Sequence, residues 1–170
     1  DHYDSCRKKD IPLPPELVWK VPEGTKLYGS FEEIKKFRHW KSNPHKPLMK
    51  TKSGLTVSLI MAYDDLLIGR DGRISNLDAK SKGDAPKDDG AKHYQTQLDI
   101  YSLAGKLNGW VMSGTGYLAY YYPVELDGEQ FLELGCDVFG LKADEERARD
   151  TIERAVICAK GSQPDHSNTC

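Results

Sequence analysis

The spacing of apolar residues along the chain predicts a mixture of helices and strands. The clearest helix covers residues 91–107, where apolar side chains recur every three or four positions and so share one face. Those inward positions are Ile100, Leu103, Ala104 and Leu107. A similar pattern predicts another amphipathic helix over 143–160. Its inward positions are Ile152, Val156 and Ala159.

Two local signals add a third helix and a hairpin. Ser30 and Glu33 have the spacing of a capping box, which predicts that a helix covers 30–40. The dipeptide Asp71-Gly72 lies between two apolar runs and is typical of a tight β-hairpin.

Short apolar runs bounded by turn residues predict five strands. They cover 55–62, 64–70, 73–81, 117–122 and 130–138, and Pro123 is expected to end the fourth. The predicted order is helix, three strands, helix, two strands, helix. The proline-rich residues 1–28 are expected to be irregular, and the polar loop 82–90 and the polar tail 161–170 to lie outside the core.

Composition favours one globular domain that spans residues 1–170. The chain is 38% apolar and 29% charged, and its length is sufficient for a real core. No apolar run approaches the roughly 18 residues that a membrane span needs, so no membrane contact is expected. The lack of a signal peptide predicts a cytoplasmic protein with reduced thiols, and the start at Asp1 suggests a fragment.

Charge is unevenly distributed about a net value of −2. Residues 1–60 contain 12 Lys and Arg against 7 Asp and Glu, whereas 61–170 contain 12 against 19. The first part could therefore face phosphate while the second supplies metal ligands. The alternative is a solvated surface whose asymmetry has no function.

The triplet Asp78-Ala79-Lys80 is the strongest candidate for chemistry. Side chains alternate along a strand, so Asp78 and Lys80 lie on the same side. A further acid stands upstream, and the length of the hairpin loop decides which one faces Asp78. A three-residue loop pairs Gly69 with Arg73 and places Asp64 opposite Asp78, whereas a two-residue loop places Asp65 there.

Either register brings two carboxylates to about 5 Å between backbones. Their repulsion is relieved by Mg²⁺ or Mn²⁺, by exposure to solvent, or by Lys80. In the metal hypothesis Asp64 and Asp78 bind the cation, and the carbonyl oxygen of Ala79 can complete the set. Lys80 would orient the attacking water or stabilise the charge of the transition state.

The helix 91–107 contributes Gln97 and Tyr101, which lie one turn apart on the same face. They could contact a metal-bound water or a DNA backbone. Taken singly, each of these features has an ordinary structural explanation: a common triplet, an acid pair at a strand edge, and half-buried helix residues. The joint order of the features is much rarer than any one of them.

The stretch from Met61 to Tyr101 resembles the PD-(D/E)XK nuclease superfamily in its RecB-type exonuclease branch. The family motifs match Asp64, Asp78, Lys80, Gln97 and Tyr101. The resemblance implies an α/β restriction-endonuclease-like fold of three layers, with a mixed central sheet flanked by helices. It also implies hydrolysis of DNA phosphodiester bonds with Mg²⁺ or Mn²⁺, with a helicase or another repair subunit as a further partner.

The chain departs from the family pattern in three respects. Met61 stands where the family has glycine, and the first-helix acid or histidine has only Glu32, Glu33 and His39 as candidates. Some relatives bind an iron–sulfur cluster through one early and three late cysteines. Cys6 and Cys170 lie near such positions, but the late triplet is absent, so no cluster is expected unless the chain continues. Cys136 and Cys158 are expected in the core.

A second hypothesis follows from these departures. The chain would retain a nuclease-like fold as a catalytically inactive module that binds DNA or a partner protein.

Overall fold

A mixed five-stranded sheet with helices packed against it organises residues 2–87, 90–124 and 133–161, which this computed structural model describes. The strands are β1 (Lys26–Leu27), β2 (Leu48–Lys50), β3 (Thr56–Ser58), β4 (Asp65–Ile68), β5 (Ile74–Ser81), β6 (Thr115–Val124) and β7 (Glu133–Lys142). The helices are α1 (His2–Lys8), α2 (Phe31–Phe37), α3 (Gln95–Leu107) and α4 (Glu145–Lys160), with 3₁₀ turns at Pro15–Leu17 and Gly90–Tyr94. The predicted mixed α/β class is confirmed.

The strand order of the large sheet is β1-β4-β5-β6-β7, and β2 and β3 form a separate antiparallel pair. Within the large sheet, β5 and β6 run parallel, while the other neighbours are antiparallel. Parallel neighbours need a crossover connection, and α3 supplies it. The helix therefore packs over the strands that it joins.

The β4–β5 hairpin has the register of the three-residue loop. Gly69 N–H donates to the Arg73 carbonyl at 2.9 Å, and Gly72 has a φ of +76°, a value that glycine adopts without strain. The ladder pairs Asp65 with Leu77, so the next step places Asp64 opposite Asp78. Of the two predicted registers, the one that pairs Asp64 with Asp78 is confirmed.

Apolar side chains cover both faces of the sheet. On one face, Leu67 and Leu77 pack with Tyr3 and Leu17 from the N-terminal segment. On the other face, Leu66 and Ile74 pack in a cluster with Ala104 of α3. These clusters fix the sheet between the N-terminal segment and α3, and the candidate residues lie just before β4 and within β5.

The prediction that residues 1–28 are irregular is wrong. This segment forms α1, a 3₁₀ turn and β1, and it buries Tyr3, Cys6 and Leu17. Helix α1 has 7 residues, which is too short for an apolar period to become recognisable. Its stability comes from packing on the sheet.

Several predicted bounds also need correction. The strand expected at 55–62 is reduced to Thr56–Ser58, and it pairs with β2 outside the large sheet. Pro123 does not end β6, which continues to Val124. Strand β5 stops opposite Tyr121, so the last residues of β6 lack a neighbour on that side and a proline is tolerated.

The three predicted helices are present with shifted ends. Ser30 and Glu33 form the expected capping box, but α2 ends at Phe37, before the predicted limit of 40. The predicted helix 91–107 begins with a 3₁₀ turn before α3. In α4, Ile152 is buried, whereas Ala159 and Cys158 are exposed and do not belong to the core.

Candidate metal centre

Asp64 and Asp78 meet where the β4–β5 ladder ends. Because β4 begins at Asp65, the neighbouring N–H of Ala79 has no strand partner there and donates instead to Asp64 Oδ2 at 3.1 Å. Asp64 remains exposed, whereas Asp78 is only 1% exposed. The pair therefore combines one accessible and one buried carboxylate.

The backbone of Ala79 faces the same place. The N–H and C=O groups of one strand residue point to the same side of the strand. Since the Ala79 N–H points to Asp64, the Ala79 carbonyl is directed toward the open end of the ladder as well. A carbonyl and two carboxylates give a set of hard oxygen donors.

Lys80 lies beside the acid pair, as the alternation of side chains requires. Its Nζ is 2.5 Å from Asp78 Oδ2, and the same ammonium lies 5.0 Å from the centre of the Tyr94 ring. The ring face of Tyr94 and the carboxylate of Asp78 together hold the Lys80 ammonium in a half-buried position.

Helix α3 closes the other side of Asp78. Gln97 Nε2 donates to Asp78 Oδ1 at 2.8 Å and to the Tyr101 hydroxyl at 3.1 Å. The Tyr101 ring packs against Tyr63, with 5.0 Å between ring centres. The structure thus brings together all the side chains that the sequence singled out, on α3 and on the β4–β5 hairpin.

Electrostatics raise the pKa values of both Asp78 and Lys80. Burial raises the pKa of Asp78, the ion pair with Lys80 opposes that shift, and the charge of Asp64 adds to it. Burial alone would lower the pKa of Lys80, but the hydrogen bond and the charge of Asp78 outweigh it. Lys80 is therefore an ammonium and cannot act as a base near neutral pH.

The centre contains more negative charge than its partners neutralise. Within the described part of the chain, the carboxylates of Asp64 and Asp78 face one ammonium, that of Lys80. The buried Asp78 Oδ2 lies 2.5 Å from Lys80 Nζ, so the ammonium is the partner of this oxygen. An excess negative charge at one place fits a divalent cation.

The ligand set would be small. Within 2–87, 90–124 and 133–161, no group of three or more His, Cys, Asp or Glu side chains lies close enough to hold a metal ion. Asp64, Asp78 and the Ala79 carbonyl can supply three oxygens, and water can complete an octahedral shell, as Mg²⁺ commonly requires.

The other sequence candidates lie in ordinary surroundings. Glu33 is used in the capping box, and Met61 is buried in the apolar cluster beneath α2. Cys6 is buried among the N-terminal apolar residues, while Cys136 is partly buried and packs against the same cluster. Cys170 lies outside the described residues, so the iron–sulfur alternative, which the sequence does not favour, stays untested.

Sequence reasoning missed a second charged cluster next to the centre. Asp65 is fully buried and accepts hydrogen bonds from Arg7 and Arg38, and Arg38 also binds Asp4. A buried Asp65 needed cationic partners, but no local pattern in the sequence showed where they would come from.

A cavity of about 430 Å³ opens at the exposed side of Asp64. It is lined by His2, Tyr3, Arg38, Asp64, Ala79 and Tyr121. The lining includes Asp64 and Ala79 but neither Asp78 nor Lys80, so the cavity reaches the centre from the side of Asp64.

The chain matches no protein-family model, and no curated protein is significantly similar to it. None of the helices in the described part of the chain combines the length and the apolar character that are needed to cross a bilayer.

Proposed function

We propose that the protein is a Mg²⁺- or Mn²⁺-dependent nuclease that hydrolyses DNA phosphodiester bonds. The observation that carries this proposal is the convergence of Asp64, Asp78 and Lys80 at one end of the hairpin. The restriction-endonuclease-like, three-layer form of the fold and the RecB-type relationship belong to the same proposal.

Asp64, Asp78 and the Ala79 carbonyl would hold the cation. When bound, such a cation polarises the scissile phosphate and lowers the pKa of water. Asp64, which is exposed, lies where the phosphate can approach. The ammonium of Lys80 stabilises the negative charge that develops on the phosphate oxygens.

Gln97 and Tyr101 have a positioning role in this scheme. The Gln97 amide fixes one oxygen of Asp78, which leaves the other oxygen directed toward Lys80. In this orientation the carboxylate would be held ready for a metal ion. The Tyr101 hydroxyl accepts from the same amide nitrogen and restricts its rotation.

A polyanionic substrate is favoured by the charge of the segment that leads to the centre. Residues 34–63 contain seven Lys and Arg and no Asp or Glu. Tyr63 N–H donates to the Phe37 carbonyl, so both ends of this segment lie beside Asp64. Arg38 and Lys52 are paired with acids, so the attraction for phosphate would come from the five other basic residues of the segment, all exposed lysines.

Metal binding and cleavage test the proposal together. Mn²⁺ titration and cleavage of single- and double-stranded DNA are measured for the wild type, Asp78→Asn and Lys80→Ala. Asp150→Asn, on the exposed side of α4, is the matched control. We expect Asp78→Asn to lose Mn²⁺ binding, and both site variants to lose at least about a hundredfold in cleavage.

Equal cleavage by all four proteins would refute the assignment. DNA binding without any Mn²⁺ site at Asp64 and Asp78 would instead support the inactive binding module. Neither outcome tests the predicted helicase or repair partner or the predicted cytoplasmic location. RNA as the substrate also stays an open alternative.

A further inference from the structure

Four charged side chains form a cluster beneath the metal centre, and they are named here the buried quartet: Asp4, Arg7, Arg38 and Asp65. Asp65 has no exposed surface, and its two oxygens accept from both arginines at 2.5 to 2.9 Å. Two carboxylates and two guanidinium groups balance each other. The quartet ties α1 and the end of α2 to the first residue of β4.

Arg38 is the member of the buried quartet that extends to the metal centre. Its Nη1 donates to Asp4 and its Nη2 to Asp65, at 2.6 and 2.7 Å. Its Nε donates to the backbone carbonyl of Asp64 at 2.8 Å. The planar guanidinium therefore fixes the peptide between Asp64 and Asp65 in one orientation.

That orientation decides where the Asp64 carboxylate lies. Asp64 precedes β4, so no strand ladder holds it, and its side chain accepts a hydrogen bond from the N–H of Ala79. Mg²⁺ accepts ligands only near 2.0–2.1 Å in an octahedral arrangement, so a small rotation of this peptide would remove the ligand. The position of the exposed Asp64 carboxylate therefore depends on Arg38, which holds the adjoining peptide from the buried side.

We propose that Arg38 is a positioning residue that holds Asp64 against Asp78 in the geometry a divalent cation requires. The proposal rests on the proposed function and assigns part of that function to α1, because Asp4 orients Arg38. Burial alone would lower the pKa of Arg38, but Asp4 and Asp65 raise it, so the Arg38 guanidinium stays charged.

Arg7 offers a matched control within the same cluster. It shares Asp65 with Arg38, but its other hydrogen bonds go to the carbonyls of Tyr28 and Gly29 and none to Asp64. Replacing either arginine by lysine keeps the charge and loses the planar fork. A purely structural role predicts similar consequences for both replacements, whereas a positioning role predicts a difference at the metal.

The test compares Arg38→Lys with Arg7→Lys by Mn²⁺ titration, by the Mg²⁺ dependence of cleavage and by urea unfolding. We expect both variants to be less stable. We expect Arg38→Lys to weaken Mn²⁺ binding about 10- to 100-fold, and its cleavage to recover at high Mg²⁺. Arg7→Lys should keep a Mn²⁺ affinity close to that of the wild type.

Equal losses of Mn²⁺ affinity in the two variants, or none in Arg38→Lys, would overturn the inference while the proposed function stands. The absence of Mn²⁺ binding by the wild-type protein would refute both the inference about Arg38 and the proposed function. If Arg38→Lys does not fold, Asp4→Asn replaces it, because Asn retains one acceptor for Arg38 but removes the charge. An unchanged Mn²⁺ affinity in folded Asp4→Asn would then count against the proposal.

Discussion

Asp64 and Asp65 are neighbours in the sequence, yet they belong to opposite kinds of charged cluster. Asp65 is fully buried among two arginines and a second acid, so its charge is balanced and its oxygens are hydrogen-bonded. Asp64 is exposed and shares one lysine with Asp78, which leaves excess negative charge. Side chains alternate between the two faces of a strand, so these neighbouring residues join a balanced cluster on one face and the candidate metal centre on the other.

Under the proposed function, charge balance distinguishes the two clusters better than the number of acids does. Each cluster contains two carboxylates. The buried quartet neutralises them with protein groups and has no need of a ligand. The metal centre does not, and an ion from solution can supply the missing charge.

The largest effect should come from removing the charge at position 65. Asp65→Asn leaves Arg7 and Arg38 with one carboxylate in place of two, and we expect it to lower the free energy of unfolding by about 3–5 kcal/mol. Asp64→Asn keeps an acceptor for Ala79 N–H and should change it by less than about 1 kcal/mol. Urea unfolding of both variants measures the contrast, and equal losses would contradict it.

An intermediate effect concerns pH. Because the pKa of Asp78 is raised, the folded protein binds that proton more tightly than the unfolded chain. The contribution of Asp78 protonation to the free energy of unfolding is therefore present at low pH, and it is lost as the pH rises through the raised pKa of Asp78. A divalent cation competes with the proton for Asp78. The apparent affinity of the protein for the cation should therefore fall about tenfold per pH unit below the pKa of Asp78.

Mn²⁺ titration across the acid range measures this slope. The buried quartet provides the contrast, since Arg7→Lys should leave the slope unchanged. A Mn²⁺ affinity that is independent of pH in this range would show that Asp78 is not a ligand.

The smallest effect should come from the tyrosines beside Asp78. Tyr101→Phe removes the hydroxyl that accepts from Gln97, and we expect a loss of about 1 kcal/mol in stability and a weakened Mn²⁺ affinity. Tyr63→Phe removes a hydrogen bond to the Tyr101 backbone carbonyl at 3.3 Å. It should cost similar stability but leave Mn²⁺ affinity unchanged. A fall in Mn²⁺ affinity with Tyr63→Phe would count against this distinction.

The parts of the centre that follow from local sequence could be predicted. Gly72 defines the loop that places Asp64 opposite Asp78, and helical spacing places Gln97 and Tyr101 on one face of α3. Both signals act over a few residues. They do not depend on how distant segments pack.

The buried quartet could not be predicted in this way. Arg7 and Arg38 are 58 and 27 residues from Asp65, and nothing near any of the three marks the partnership. The strand expected at 55–62 failed for a related reason. Its apolar residues pack against α3 and α4 beside β2, so burial there does not indicate membership of the large sheet.

The parallel pairing of β5 with β6 has a consequence for how the protein reaches its native state. A hairpin closes in about 1–10 μs, whereas parallel strands must await an entire crossover. The two aspartates are therefore expected to meet early, while water still surrounds them. Their desolvation follows when α3 docks, so the cost of enclosing the acid pair falls late on the folding pathway.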